Sequence, residues 1–487
     1  MYSRAAVGQG EDFVRHVGCL CHRPEILHFT NRINGDLTRR GFTAGMAASI
    51  LSLGLPNFAG AQSTATPEDR KGKLVFTNFR LFDGKSTVLT DGKVVVVDGN
   101  SIASVEDAGG ALPEDAEHID CGGRTLMPGL IDAHWHTMLA PMPLTSLMTA
   151  ELGYIYLVAS AEAERTLLRG FTTVRDVGGP VFALKKAIDE GVATGPRIYP
   201  SGAMISQTGG HGDFRPTFEL PRKGDDISRS EELGAAAIAD GADEVLRRAR
   251  EQLMLGASQI KLMAGGGISS LYDPLDSLQF RPEEVEAAVQ AAADWGTYVT
   301  VHVYLAEGMK RCIKAGVRCI EHGQLADEEA ARMVADNGIW WSLQPFIEAA
   351  EGNQYTGAQA AKQRQVWEGT DKAYAMAIDL KAKIGWGTDV LFNPKGTANQ
   401  GRMLSIMTRW FTAGQALKIA TGDNGEMLAL SGERNPYPGK LGVIERGALA
   451  DILLVDGDPT EDLGLLANPE ANLKLVMKDG RIYKREV

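Results

Sequence analysis

The sequence predicts an α/β protein: a (β/α)8 TIM barrel inserted into a small β-sandwich built from both ends of the mature chain. Three observations predict it. Strand-like apolar runs alternate with amphipathic helix-like runs through the middle of the chain, short strands of one texture flank that middle, and its histidines sit at strand ends or in one Gly-rich loop rather than on helices.

The chain has 487 residues, 44% hydrophobic and 23% charged, an ordinary globular composition able to bury a large core. Residues 1–61 read differently. Thr38-Arg39-Arg40-Gly41-Phe42-Thr43 is a twin-arginine pair, followed by an uncharged run from Ala44 to Phe58 and the small-x-small pattern Ala59-Gly60-Ala61. That run is too short and too broken by Gly, Ser and Pro to span a membrane, so it predicts a removable twin-arginine export leader and a periplasmic or secreted protein. The leader holds six arginines against four acids, so its removal takes the formal charge from −12 to −14. A surface this acidic repels phosphate backbones and anionic lipid, which argues against nucleic-acid partners and, after leader removal, against membrane partners. Cys121, Cys312 and Cys319 remain, an odd and widely spaced set in apolar contexts that reads as core.

Residues 62–127 carry short strands, Leu74-Val75-Phe76, Lys93 to Val97 and Ile102 to Val105, punctuated by Asp-Gly turns at Asp83, Asp91 and Asp98. The same texture returns in residues 437–487, at Ala450 to Gly457 and Leu473 to Gly480. Together they make the predicted sandwich, with residues 128–436 inserted as the barrel.

The first barrel strand breaks from Pro128-Gly129 and ends in His134-Trp135-His136. Seven more strands are predicted over Thr172 to Asp176, Arg197 to Ser201, Ser258 to Met263, Tyr298 to Val303, Arg318 to Glu321, Ile339 to Leu343 and Ile384 to Asp389. Helices fall between them, one opened by the start signal Arg281-Pro282-Glu283-Glu284. Gly202 to Arg229 and Pro345 to Thr370 read as long loops, a binding loop and a lid. Trp340, Trp341, Phe346 and Tyr355 offer the lid an aromatic wall.

Side chains two apart on a strand share a face, so His134 and His136 converge at the strand's carboxyl end. A lone His-x-His is common by chance. Here Lys261, His302, His322 and Asp389 stand at the ends of the fourth, fifth, sixth and eighth strands, where barrel chemistry occurs, and no histidine falls on a barrel helix. The clustering predicts one metal site.

Pro128 to His136, Ile260-Lys261-Leu262-Met263, Val301-His302, Ile320-Glu321-His322-Gly323 and Gly387-Thr388-Asp389, in that order, resemble the amidohydrolase superfamily across the mature chain. The resemblance implies a two-metal site, most often zinc. His134, His136 and Asp389 would hold one divalent ion, His302 and His322 the other, with carboxylated Lys261 bridging them. An ammonium beside two dications would be repelled, whereas a lysine that has taken up carbon dioxide is an anionic oxygen ligand. Such a site activates water, with Asp389 relaying its proton to a leaving nitrogen.

Thr208-Gly209-Gly210-His211-Gly212-Asp213, Tyr304 and Ala315-Gly316-Val317 are closer still to the Xaa-Pro dipeptidase and ochratoxinase-like amidases. By that resemblance His211 and Tyr304 would hydrogen-bond the substrate carbonyl and its oxyanion. A small-molecule amide or peptide substrate ending in a free amino acid follows, with Arg215 and Arg222 as candidate partners of its carboxylate. Relatives are often homo-oligomers, and many have histidine where this chain has Lys395.

Rival readings remain on the same fold. Deaminases lack the fourth-strand lysine and place His-x-x-Glu where this chain has His302-Val303-Tyr304-Leu305. Cyclic amidases lack the Gly-Gly-His-Gly loop, and a lactonase would use the same parts. A metal-free scaffold would have lost ligand positions, and all six are present.

Overall fold

The computed structural model describes residues 72–222, 226–270, 272–348 and 355–487. The leader expected over residues 1–61 lies outside them.

Four strands open the described chain: β1 (Leu74–Leu81), β2 (Lys93–Asp98), β3 (Ser101–Asp107) and β4 (Glu117–Pro128). The middle contributes β5 (Leu130–Trp135), β6 (Phe171–Asp176), β7 (Arg197–Pro200), β8 (Met204–Ser206) and β9 (Ala236–Ile238). It continues with β10 (Ile260–Met263), β11 (Val299–Leu305), β12 (Cys319–Leu325), β13 (Trp340–Leu343) and β14 (Lys383–Trp386). β15 (Ile452–Val455), β16 (Leu473–Lys478) and β17 (Arg481–Arg485) end the chain.

The two ends share one sheet, ordered β17-β16-β15-β4-β1-β2-β3. β4 joins them, pairing parallel with β1 and antiparallel with β15. Phe76, Val95, Ile119, Leu126, Leu454 and Leu475 are buried together in its core. Each such side chain contributes roughly 1.5–3 kcal/mol over leaving it exposed. At the β2–β3 hairpin Gly99 has φ +58, a conformation that costs an L residue energy.

The middle is mixed α/β with parallel strands. β5, β6 and β7 form a three-stranded sheet, and β14-β13-β12-β11-β10-β8-β9 a parallel sheet of seven. Every residue of β5, β6 and β10 is buried, as expected for strands covered on both faces. Covering helices include Leu152–Leu168, Ala242–Leu255, Pro282–Asp294 and Glu328–Asp336. The predicted start at Arg281 is a capping box, with the Arg281 N–H donating to Glu284 Oε2 at 2.6 Å.

All eight expected middle strands are present, and two stretches expected as loops differ. Gly202 to Arg229 contains β8: with Gly202 at φ +74 the chain turns, so β7 pairs with β6 while β8 pairs with β10. Three residues are too few to show periodicity. The stretch Pro345 to Thr370 is helical from Gly357 onward, where the helix Gly357–Asp379 begins. Gln, Lys and Glu so dilute its apolar stripe that the sequence reads as a loop.

Arg197 on β7 ties the middle to the end sheet, 3.2 Å from Asp451 and 2.8 Å from Asp479. Cys121, Cys312 and Cys319 are free and buried as expected, and burial pushes each thiol up to about 12. Among the described residues no helix is long and apolar enough to cross a membrane.

Candidate metal centre and substrate cavity

The centre sits where β5, β10, β11, β12 and the turn after β14 meet. Strand alternation brings His134 and His136 to one side, both buried. The Asp389 N–H donates to His134 O at 2.8 Å, holding the turn against β5. Asp132 braces it further, accepting from Thr388 N at 3.0 Å, Thr388 Oγ1 at 2.7 Å and Gln400 Nε2 at 3.0 Å.

Two of the expected ligands occupy left-handed backbone, His322 at φ +74 and Asp389 at φ +54. Non-glycine residues there are uncommon and cluster at functional sites. At His322 the twist breaks strand alternation, so Glu321 and His322 both turn into the interior.

Asp389 Oδ1 lies 3.2 Å from His134 Nε2 and 3.3 Å from His136 Nε2, and its Oδ2 lies 4.0 Å from His322 Nε2. One ligand atom each from His134, His322 and Asp389 fall within 4.8 Å of one another. The His302 ring stands 4.4 Å from that of His322. Lys261 is buried in the same wall, and among the described residues no hydrogen bond or ion pair engages its Nζ.

Each imidazole is held from behind. His134 Nδ1 is 2.8 Å from Glu321 Oε2, His136 Nδ1 3.0 Å from Gly178 O, and His322 Nδ1 2.7 Å from Gln344 Oε1. His302 is held through the other nitrogen, with Nε2 3.2 Å from Gly266 O. Every ring therefore keeps one nitrogen for the centre, the arrangement that metal-binding histidines show.

The electrostatics agree at His302 and His322, whereas Asp389 and Glu321 raise His134 against its burial. Burial, reinforced by neighbouring histidines and Lys261, holds His302 and His322 well below the ordinary imidazole value, as neutral ligands require. Burial alone would raise the Asp389 carboxyl, but His134, His136 and His322 outweigh it and hold it well below the usual range. Burial lowers the Lys261 amine to about 8 despite Glu321 and Asp389. Four imidazoles, one ionised carboxylate and a buried amine without a hydrogen bond fit a metal centre; a buried amine without a partner would otherwise be costly here.

The cavity above carries both expected oxyanion residues. Tyr304 is buried against His322, ring centroids 5.0 Å apart, and burial and then Asp389 keep its phenol well above its usual value. His211 stacks on His302 at 4.1 Å, with Nδ1 2.8 Å from Ser270 Oγ. Gly267 makes room for it, since a Cβ there would lie 1.9 Å from His211 Cε1.

Neither arginine expected to meet a substrate carboxylate lines the cavity. Arg215 is held by Asp213, Nε to Oδ1 at 2.7 Å, and Arg222 donates to Asp226 O at 2.7 Å. The Asp213 carboxylate claims the first cation, and the Asp226 backbone carbonyl holds the second, with Glu231 3.8 Å away. Of the expected aromatic wall, Phe346 and Tyr355 line the cavity, joined by Phe214 and Trp367. Trp340 and Trp341 are buried elsewhere, and Trp341 Nε1 donates to His322 O at 2.7 Å. Lys395 does not line the cavity.

Sequence reasoning missed Glu321, Arg175, Gln344 and Trp367. Only Glu321 left a signal, as a carboxylate beside an expected ligand histidine.

A model described as the amidohydrolase family matches residues 125–483. Ochratoxinase of Aspergillus niger is 32% identical over 384 residues, covering 74% of this chain and 75% of its own length. Its crystal structure is similar with a TM-score of 0.74 at 28% identity, over 86% of this chain and 97% of that one. A prolidase solved with N-methylphosphonate-L-proline has a TM-score of 0.78 at 32% identity, over 85% of this chain and 100% of that one. A Xaa-Pro dipeptidase with bound methionine in its active site has a TM-score of 0.73 at 32% identity, over the same shares.

Proposed function

Because the chain belongs to the amidohydrolase family and is a hydrolase, we propose that it is a binuclear metal-dependent amidase that cleaves the bond between an acyl group and a carboxy-terminal amino acid. One observation carries this reading: four imidazoles, Asp389 and Lys261 converge, each ring held from behind so that one nitrogen faces inward. The similar prolidase, Xaa-Pro dipeptidase and ochratoxinase support this substrate class. In this reading the parallel strands act as one (β/α)8 barrel and the end sheet curls into a sandwich.

His134, His136 and Asp389 would hold one zinc ion and His302 and His322 the other, with carboxylated Lys261 between them. When bound, the two ions supply Lewis acidity, polarising the substrate carbonyl and acidifying water at neutral pH. Tyr304 donates its phenolic proton to the carbonyl oxygen, and His211, above His302, lies on the same side. Their bonds strengthen as negative charge develops there. The Asp389 carboxylate accepts a proton from the attacking water and delivers it to the leaving nitrogen, so water and amide become acid and amine. Phe214, Phe346, Tyr355 and Trp367 give the acyl group an aromatic wall.

A panel of Xaa-Pro and Xaa-Phe dipeptides, N-acyl amino acids including ochratoxin A, hydantoins and lactones tests the substrate class. Open-chain amides should turn over, with about two divalent ions per chain by elemental analysis. Turnover confined to cyclic substrates sinks the amidase reading, and full activity in chelator without bound metal sinks the binuclear one.

We also propose export by the twin-arginine route, from Arg39-Arg40 and the uncharged run behind them. Replacing both arginines with lysine should retain the protein in the cytoplasm. Unchanged periplasmic recovery would refute the leader.

A further inference from the structure

The mechanism uses neither Arg175 nor Glu321, yet both are wholly buried at the foot of the centre. Arg175 comes from β6. Its Nε donates to Ala133 O at 2.6 Å, one Nη to Tyr298 Oη at 3.1 Å, and the other to Glu321 Oε1 at 2.6 Å. The same oxygen accepts from Thr300 Oγ1. Glu321 Oε2 is left for His134 Nδ1, 2.8 Å away, and His134 Nε2 then faces Asp389. The chain Arg175, Glu321, His134 crosses the interior from β6 through β12 to β5.

We propose that the Arg175–Glu321 ion pair is a charged anchor that positions His134 and sets the metal affinity of the position His134 shares with His136 and Asp389. This rests on the two-metal reading. The asymmetry of the partners motivates it: His136, His302 and His322 lean on neutral oxygens, those of Gly178, Gly266 and Gln344, and His134 leans on a carboxylate.

A carboxylate acceptor keeps the proton on Nδ1, fixes the plane of the ring and makes Nε2 a stronger donor to a cation. A charge-assisted bond does this more firmly than a carbonyl. A lone buried carboxylate would be too costly to keep ionised, and Arg175 supplies its counter-charge while being tied to several strands. Glu321 and Arg175 are thus positioning residues, for neither reaches the cavity.

The test uses the full chain equilibrated with zinc in a chelator buffer. It reads metal stoichiometry and affinity by elemental analysis, ligand geometry from the visible spectrum of the cobalt form, and folding by circular dichroism. Glu321→Gln preserves shape and removes the charge. The wild type should hold about two ions, and E321Q about one, with affinity at the lost position 10–100-fold weaker and an altered cobalt spectrum.

The double variant E321Q with Arg175→Met removes both charges and strands neither, so it remains informative if E321Q alone fails to fold. It too should lack the one position. Wild-type affinity and spectrum in E321Q would overturn the anchor, as would their recovery in the double variant, which would trace the loss to a stranded arginine. A wild type that binds no divalent ion would overturn the two-metal reading and the anchor with it.

Discussion

Asp389→Asn should lower kcat by about 10³-fold while leaving the fold intact, within the range that loss of a positioned proton carrier produces. The substitution suits the site unusually well. Asp389 has φ +54, and asparagine is among the few residues that tolerate this left-handed conformation. Its amide has the carboxylate's shape, so packing against His134 and His136 survives. What disappears is an oxygen able to take a proton from water and hand it to nitrogen. The carboxylate's own negative charge, which His134, His136 and His322 stabilise against burial, also disappears, so metal affinity should weaken. Steady-state kinetics beside a thermal melt checks this: an unshifted melt with kcat down about a thousandfold supports the role. Activity within tenfold of wild type at full metal loading would remove Asp389 from the proton path.

Lys261→Ala should cost more than about 100-fold in metal affinity, above the usual loss for an outer partner of a ligand, with activity falling alongside. Burial lowers this amine to about 8, so about one lysine in ten is neutral at pH 7, against fewer than one in a thousand for an ordinary lysine. Only the neutral amine can take up carbon dioxide. Truncation leaves a space lined by the expected metal ligands, where a short carboxylate such as acetate or propionate can restore the missing oxygens. Activity in K261A should therefore recover partly with millimolar carboxylate, read together with metal content. An alanine variant that keeps two ions and full turnover would exclude Lys261 as a bridging ligand.

These two experiments probe residues that the sequence alone singles out, which bears on what a linear pattern can show. Period-two alternation puts His134 and His136 together without knowledge of any other strand. The alternation of strands and helices places Lys261, His302, His322 and Asp389 at strand ends, and every one of those strands forms. Buried apolar runs are local signals, since a strand covered on both faces is mostly apolar.

The misses have a common cause. β8 is three residues long, and its partners are β9 and β10, the second more than fifty residues away. The helix Gly357–Asp379 hides its register because polar residues interrupt its apolar stripe. Arg215 and Arg222 look available in a loop, and the structure holds Arg215 on the Asp213 carboxylate and Arg222 on the Asp226 backbone carbonyl.

By itself, then, the sequence determined the α/β class, the expected ligand set and the family resemblance, because each is written in spacing along a strand or in a short motif. Only the tertiary structure decided that Glu321 and His322 both turn inward, that Arg175 stands behind Glu321, and that Phe214 and Trp367 wall the cavity. Those facts depend on left-handed backbone at His322 and on side chains from distant strands meeting across the interior. Burial makes such meetings energetically decisive, and no pattern within one segment encodes them.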